Sequence, residues 1–157
     1  AMKNSLFALA VTVTAALSAL QGCASVAKLD TPSGFATVPH DDTFAYRSLS
    51  AKGVVLATRT EKNDLRGNTD FWSESIDLKL TRAGYTKQAD KEVTTARGLK
   101  GRQLRYAVER RGREHRYWVT VFLKDDRVVL VEAAGDSEHF GAAEATVERS
   151  IATLRVD

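Results

Sequence analysis

A twisted antiparallel sheet of about five to seven strands with two main helices packed on it, an α+β fold, is what this sequence predicts from residue 44 onward. Three observations carry the expectation. Trp72, Ile76, Leu80 and Ala83 fall at helical spacing, as do Phe140, Ala143, Val147, Ile151 and Leu154, giving two amphipathic stripes. Between them lie β-branched runs broken by short polar turns. One of those breaks, Arg111-Gly112, suits a two-residue hairpin turn. At 157 residues the chain is long enough for one domain and too short for two ordinary ones. Its 43% hydrophobic and 27% charged residues are those of a globular protein.

The elements follow in order. Residues 44–49 and 51–60 read as strands, and the polar stretch 61–68 as a loop. Thr69 opens a helix as its cap, with Asp70 in the first turn and Gly84 where a terminating glycine belongs. Trp72 is read as the core anchor of that helix rather than a ligand platform. Residues 85–97 alternate weakly and form an edge strand or hairpin.

Residues 99–110 and 114–123 are the strongest strands. With Arg111-Gly112 as the turn, Leu104 faces Val119, Tyr106 faces Tyr117 and Val108 faces His115, so one side of the hairpin is apolar. The other side sets Arg105 against Trp118, a cation–π pair. Glu109 opposite Glu114 is a defect of this register, relieved if Arg116 lies diagonally near. Lys124-Asp125-Asp126 turns the chain, and 127–134 is the most apolar run, hence a central strand. Gly135-Asp136-Ser137 ends the sheet and caps the last helix, whose wet face carries Glu144, Glu148 and Arg149.

This element order, with Gly84-Tyr85 after the first helix, the run 117–122 (YWVTVF) and the run 129–133 (VLVEA) before the last helix, resembles the PsbP-like fold. That fold occurs in an extrinsic photosystem subunit, a Ran-binding nuclear-import factor and bacterial periplasmic lipoproteins. The resemblance implies a binding or accessory module, not an enzyme, and brings no catalytic motif.

Upstream of the domain the chain changes character. Ala1 stands ahead of Met2 and is set aside as an expression remnant; Lys3 then precedes an apolar run from Leu6 to Leu20, shorter than the ~20 residues of a membrane span. Residues 1–22 read as a signal peptide. The run ends in Leu20-Gln21-Gly22-Cys23, which holds the only cysteine and resembles a bacterial lipobox. The resemblance implies cleavage before Cys23 and acylation of that residue. Two or three chains, at ~0.8 kcal/mol per buried CH₂, make a stable bilayer anchor. Ala24-Ser25, with no Asp, resembles outer-membrane sorting in enteric bacteria and implies the periplasm-facing side of that membrane. Residues 23–43 contain both prolines and no sustained period, and read as a lipidated tether before the domain at 44–157.

The formal charge of +3 is too small to argue for nucleic acid, and export removes that partner. His40, His115 and His139 lack metal-ligand spacing and read as surface or boundary residues; no metal or cofactor is expected. Asp41-Asp42 and Asp125-Asp126 read as turn formers rather than acid–base pairs. No nucleophile elbow, phosphate loop or dinucleotide fingerprint appears, so no catalytic residue is expected.

The sharpest feature is a basic hairpin: Arg97, Lys100, Arg102, Arg105, Arg110, Arg111, Arg113 and Arg116 within residues 97–116. Two readings fit it. One is a solvated, guarded strand edge. The other is a surface facing an anion, such as lipid headgroups, an anionic envelope polymer or glycan, a small anionic ligand or an acidic partner protein. The function expected is that of a lipid-anchored accessory or scaffold module for another envelope component.

Overall fold

The computed structural model describes residues 27–39 and 43–157. The signal segment, Cys23, His40, Asp41 and Asp42 lie outside the described residues.

In chain order the elements are β1 (Ala27–Lys28), β2 (Phe35–Thr37), β3 (Tyr46–Ser50), β4 (Val55–Lys62), α1 (Thr69–Arg82), β5 (Thr86–Thr94), β6 (Lys100–Arg110), β7 (Arg113–Lys124), β8 (Arg127–Asp136), α2 (Ser137–Ala152) and β9 (Arg155–Val156). One seven-stranded antiparallel sheet runs β2-β3-β4-β8-β7-β6-β5, and β1 pairs separately with β9. The apolar run in β8 is central, as its composition requires: it is flanked by β4 and β7 and buried on both faces.

The long hairpin takes the register its turn dictates. Arg111 (φ 53°) and Gly112 (φ 73°) both occupy the left-handed region, the backbone of a type I′ turn that matches strand twist. Leu104 faces Val119, Tyr106 faces Tyr117 and Arg105 faces Trp118. Alternation then sends side chains to two separate cores. Leu104, Tyr106, Val119, Val121, Val128 and Leu130 pack under Trp72, Ile76 and Leu80 of α1. Trp118, Phe122, Val129, Val131 and Ala133 pack under Phe140, Val147 and Ile151 of α2 and under Leu154, which the sequence placed on the helix stripe but which lies just beyond the helix end. The two helices therefore cover opposite faces of one sheet. Gly101 is paired with Phe122, and a Cβ there would lie 2.4 Å from the ring of Phe122 and 2.6 Å from the carbonyl of Val121.

Several local expectations are corrected. The strand expected at 51–60 begins only at Val55, because Gly53 (φ 80°) donates its N–H to the Ser50 carbonyl and makes 51–54 the hairpin turn. The helix cap is Asn68, whose Oδ1 accepts from the Phe71 N–H at 2.8 Å, one residue before Thr69. Ala83, placed on the apolar stripe, is exposed beyond the end of α1. Residues 86–94 form a single edge strand with a bulge at Gln88. Glu109 does face Glu114, but Arg116 does not relieve it: Ser137 Oγ donates to Glu114 Oε1 at 2.7 Å, while Arg116 binds Glu144.

The largest correction is at the tether. Residues 27–39 belong to the domain, which therefore includes chain well before residue 44. Ala27 is fully buried and pairs with Val156, and its carbonyl accepts from Thr58 Oγ1 at 2.5 Å. Asp30 accepts from Ser150 Oγ, donates its N–H to Thr153 Oγ1 and pairs with Arg155. Phe35–Thr37 extends the sheet beside β3. All but the last of these contacts are with distant residues, so the segment needs no period of its own.

Gly101→Ala should lower stability by about 1–3 kcal/mol through overpacking against Phe122. Urea unfolding should show a lower midpoint at unchanged m-value; an unaltered midpoint would contradict the close approach.

Candidate functional site

The eight cations of the hairpin do not form one surface. β6 alone is about 34 Å long at ~3.4 Å per residue, and alternation divides its side chains between two faces. The structure separates the set into three places.

Arg97 and Lys100 lie with the turn between β5 and β6, at the end of the sheet that also holds the β7–β8 turn. Arg102 follows on the α1 face and is already bound. Its Nε donates to Asp90 Oδ1 at 2.6 Å and its Nη1 to Asp70 Oδ1 at 2.7 Å, so Asp90, with Asp70 adding, raises its pKa.

Arg105 and Arg116 point to the α2 face, into a groove between α2 and the edge strand β5. Arg105 stacks on Trp118 with its guanidinium carbon 3.6 Å from the ring centroid, a distance at which cation–π attraction is strong. Trp118 is itself seated edge-on against Phe140, 4.8 Å between centroids. The guanidinium then donates to Gln103 Oε1 at 2.8 Å, to Glu144 Oε1 at 3.0 Å and to Glu148. Arg116 reaches the second oxygen of Glu144 at 3.0 Å, and Lys91 crosses from β5 to Glu148 at 2.9 Å. Glu144 and Glu148 are one helical turn apart, so both carboxylates face the same groove. They are not a wet face, as the sequence suggested, but the acids that neutralise the hairpin's cations. The hydrogen bond from Lys91, supported by Arg105 against the cost of burial, holds the Glu148 carboxyl below its ordinary value.

Arg110, Arg111 and Arg113 sit at the other end, around the β6–β7 turn. Arg113 pairs with Asp136 at 2.8 Å. Arg110 and Arg111 are exposed and make no ion pair among the described residues. Arg110 lies 5.4 Å over the ring of Tyr85, which follows α1. Behind it stands a tyrosine cluster on the α1 face: Tyr85 meets Tyr106 edge-on at 6.3 Å and Tyr117 at 5.6 Å. Both inner hydroxyls donate to carboxylates, Tyr106 to Asp77 at 2.8 Å and Tyr117 to Glu132 at 2.5 Å. Burial first, and the facing carboxylate second, pushes both phenols well above the usual tyrosine range, so they remain protonated donors. Lys87, hydrogen-bonded to Asp77 at 2.7 Å, lowers that carboxyl in turn. The sequence had not singled out Tyr85, Tyr106 or Tyr117 for this end of the molecule. The alternation that places them was legible; the return of Tyr85 from α1 onto the hairpin was not.

His115 lies at the same end, with Nδ1 3.1 Å from the Arg113 carbonyl, and His139 is half-buried in the first turn of α2. Among the described residues no group of three or more His, Cys, Asp or Glu is arranged to hold a metal ion.

The class defined by this architecture is the PsbP-like α+β fold. The chain is similar to LpqN of Mycobacterium tuberculosis, a protein described as involved in cell envelope biogenesis, with TM-score 0.66 and 8% identity over 84% of this chain and 83% of that one. It is similar to the cyanobacterial PsbP (CyanoP) of Synechocystis sp. PCC 6803, with TM-score 0.54 and 10% identity over 87% and 95%. A Bacteroides thetaiotaomicron protein aligns at TM-score 0.56 and 11% identity, over 84% of this chain and 45% of its own. No family model and no curated protein matches the sequence. At these identities the likeness is one of fold.

The depressed Glu148 carboxyl gives stability that is fully present above its ordinary value of 4.5 and is lost as pH falls through the lower folded value. The stability difference between wild type and Glu148→Gln should therefore be constant above 4.5 and shrink below it. It should stay under about 1 kcal/mol, because Lys91 and Glu148 are 43% and 41% exposed. Urea melts across that range check it; a difference growing on acidification would contradict it.

Proposed function

We propose that this protein is a lipoprotein of the bacterial cell envelope, attached through acylated Cys23, whose domain serves as an accessory binding module for another envelope protein. The partner docks at the β6–β7 turn. The observation that carries this reading is the contrast among the hairpin's cations. Arg102, Arg105, Arg113 and Arg116 are neutralised by the protein's own carboxylates, whereas Arg110 and Arg111 are exposed beside the tyrosine cluster without one. Arginine and tyrosine are among the residue types that dominate binding energy at protein interfaces, and here Arg110 and Arg111 are exposed at the turn with the half-buried Tyr85 against Arg110. The partner surface that complements them is acidic.

Two further observations support the address. The run Leu20-Gln21-Gly22-Cys23, which resembles a lipobox, closes an apolar stretch, and Ala24-Ser25 resembles the signal for outer-membrane sorting, with the domain in the periplasm. LpqN, which shares the fold, is described as acting in envelope biogenesis. Capture of a small anion or glycan along the whole stretch 97–116 has less support, because the middle of the hairpin is internally paired and its two ends point in opposite directions.

Charge reversal at Arg110 and Arg111 to Glu should reduce cross-linked partner recovery from native membranes several-fold, with an unchanged circular dichroism spectrum. Equal recovery would remove the turn from the interface. Cys23→Ala should leave an uncleaved precursor without acyl chains. A mutant that still fractionates as a processed, acylated protein would overturn the anchor.

A further inference from the structure

The buried start of the domain has a consequence for its posture. Cys23 is only four residues before Ala27, and Ala27 is fixed in the fold by β1–β9 pairing and by the hydrogen bond from Thr58. Four residues span at most about 14 Å when fully extended. A domain tied that closely to acyl chains does not swing on a long tether. One part of its surface must lie at the headgroup layer.

The topology says which part. From Ala27 the chain runs through Asp30 to Phe35, which pairs with Ser50 at the β3–β4 turn. From Phe35 back to Ala27 it runs away from that turn, toward the end of the sheet where β4 finishes and the β5–β6 and β7–β8 turns lie. Val156, the partner of Ala27, shares a concavity there with Arg97 and Lys124. The same end carries the loop before α1 and the first turn of that helix. Leu65 is 70% exposed on that loop and Phe71 is 43% exposed on that turn. Arg66 stands between them in sequence with a left-handed backbone (φ 50°), exposed at the loop tip.

We infer that this end of the domain, bearing Leu65, Phe71, Arg66, Arg97 and Lys124, rests on the phospholipid bilayer that holds the Cys23 acyl chains. The inference rests on the lipoprotein reading above and adds a fixed orientation to it. Apolar side chains of this size, exposed beside cations, suit the boundary between headgroups and acyl chains. Two acids at this end answer neighbouring cations: Asp125 lies 3.6 Å from Lys124 and Asp126 3.5 Å from Arg127. Glu61, Asp64, Glu92 and Asp157 are exposed at or near the same end and oppose the attraction, so contact is amphipathic rather than a matter of net charge. The Arg110–Arg113 turn, at the far end of the sheet, then faces away from the membrane and toward a partner.

The test uses acylated protein in vesicles of phosphatidylethanolamine and phosphatidylglycerol, with one nitroxide at Leu65→Cys or Arg111→Cys. Acylated Cys23 does not take the label. Accessibility to an aqueous nickel chelate should be several-fold lower at position 65 than at 111. It should also be several-fold lower at 65 than in the same variant begun at Ala24, without leader or acyl chains and free in solution. Equal accessibility at 65 and 111 on vesicle-bound protein, or shielding at 111 instead, would overturn the orientation while leaving the anchor intact. Failure to stay with vesicles, with Cys23 present, would overturn the anchor and the orientation together.

Discussion

The two-residue turn at Arg111-Gly112 fixes the hairpin on which the remaining architecture is built. Both residues occupy the left-handed region, and the resulting type I′ turn leaves no freedom in how β6 and β7 align. A slip of one residue would send Leu104 and Tyr106 to the α2 side and Arg105 to the α1 side. Each helix would then meet the wrong surface. Trp72, Ile76 and Leu80 need the apolar set that Leu104, Tyr106, Val119 and Val121 supply. Glu144 and Glu148 need Arg105, and Arg105 needs the ring of Trp118 beneath it.

That register also decides what the cations do. A buried or half-buried guanidinium is tolerated where carboxylates satisfy it, and the α2 groove supplies two with a tryptophan face below. The middle of the hairpin is thus spent on holding α2 and β5 to the sheet. Only its ends stay available. One end shares the sheet's edge with Leu65 and Phe71, near the place where the chain enters the fold; the other pairs Arg110 with Tyr85. Two differently built ends suit the proposed role of bridging a membrane and a partner.

Much of this was legible from residues. The hairpin register, the Arg105–Trp118 contact, the central place of 127–134 and both helix stripes follow from alternation and spacing, which are local properties. What was not legible depends on distant contacts. Residues 27–39 show no period because their order comes from Thr58, Ser150, Thr153 and Val156, far along the chain. The same cause explains the misread acids: Glu144 and Glu148 look like a solvated helix face until Arg105, Arg116 and Lys91 are brought opposite. A cluster of arginines in sequence likewise overstates a basic surface, since in a strand neighbours point to opposite sides. The run of cations was legible in the sequence, but its division into three places required the tertiary fold.

The proposed function requires Cys23 to be the first residue of the mature chain and to carry lipid. Mass spectrometry of the protein recovered from its native envelope reads this directly. An amino-terminal peptide beginning at Cys23, heavier by a diacylglyceryl group with or without a further acyl chain, is the result the account predicts. A peptide running unmodified through Gly22-Cys23, or beginning at Cys23 with a free thiol, would contradict it.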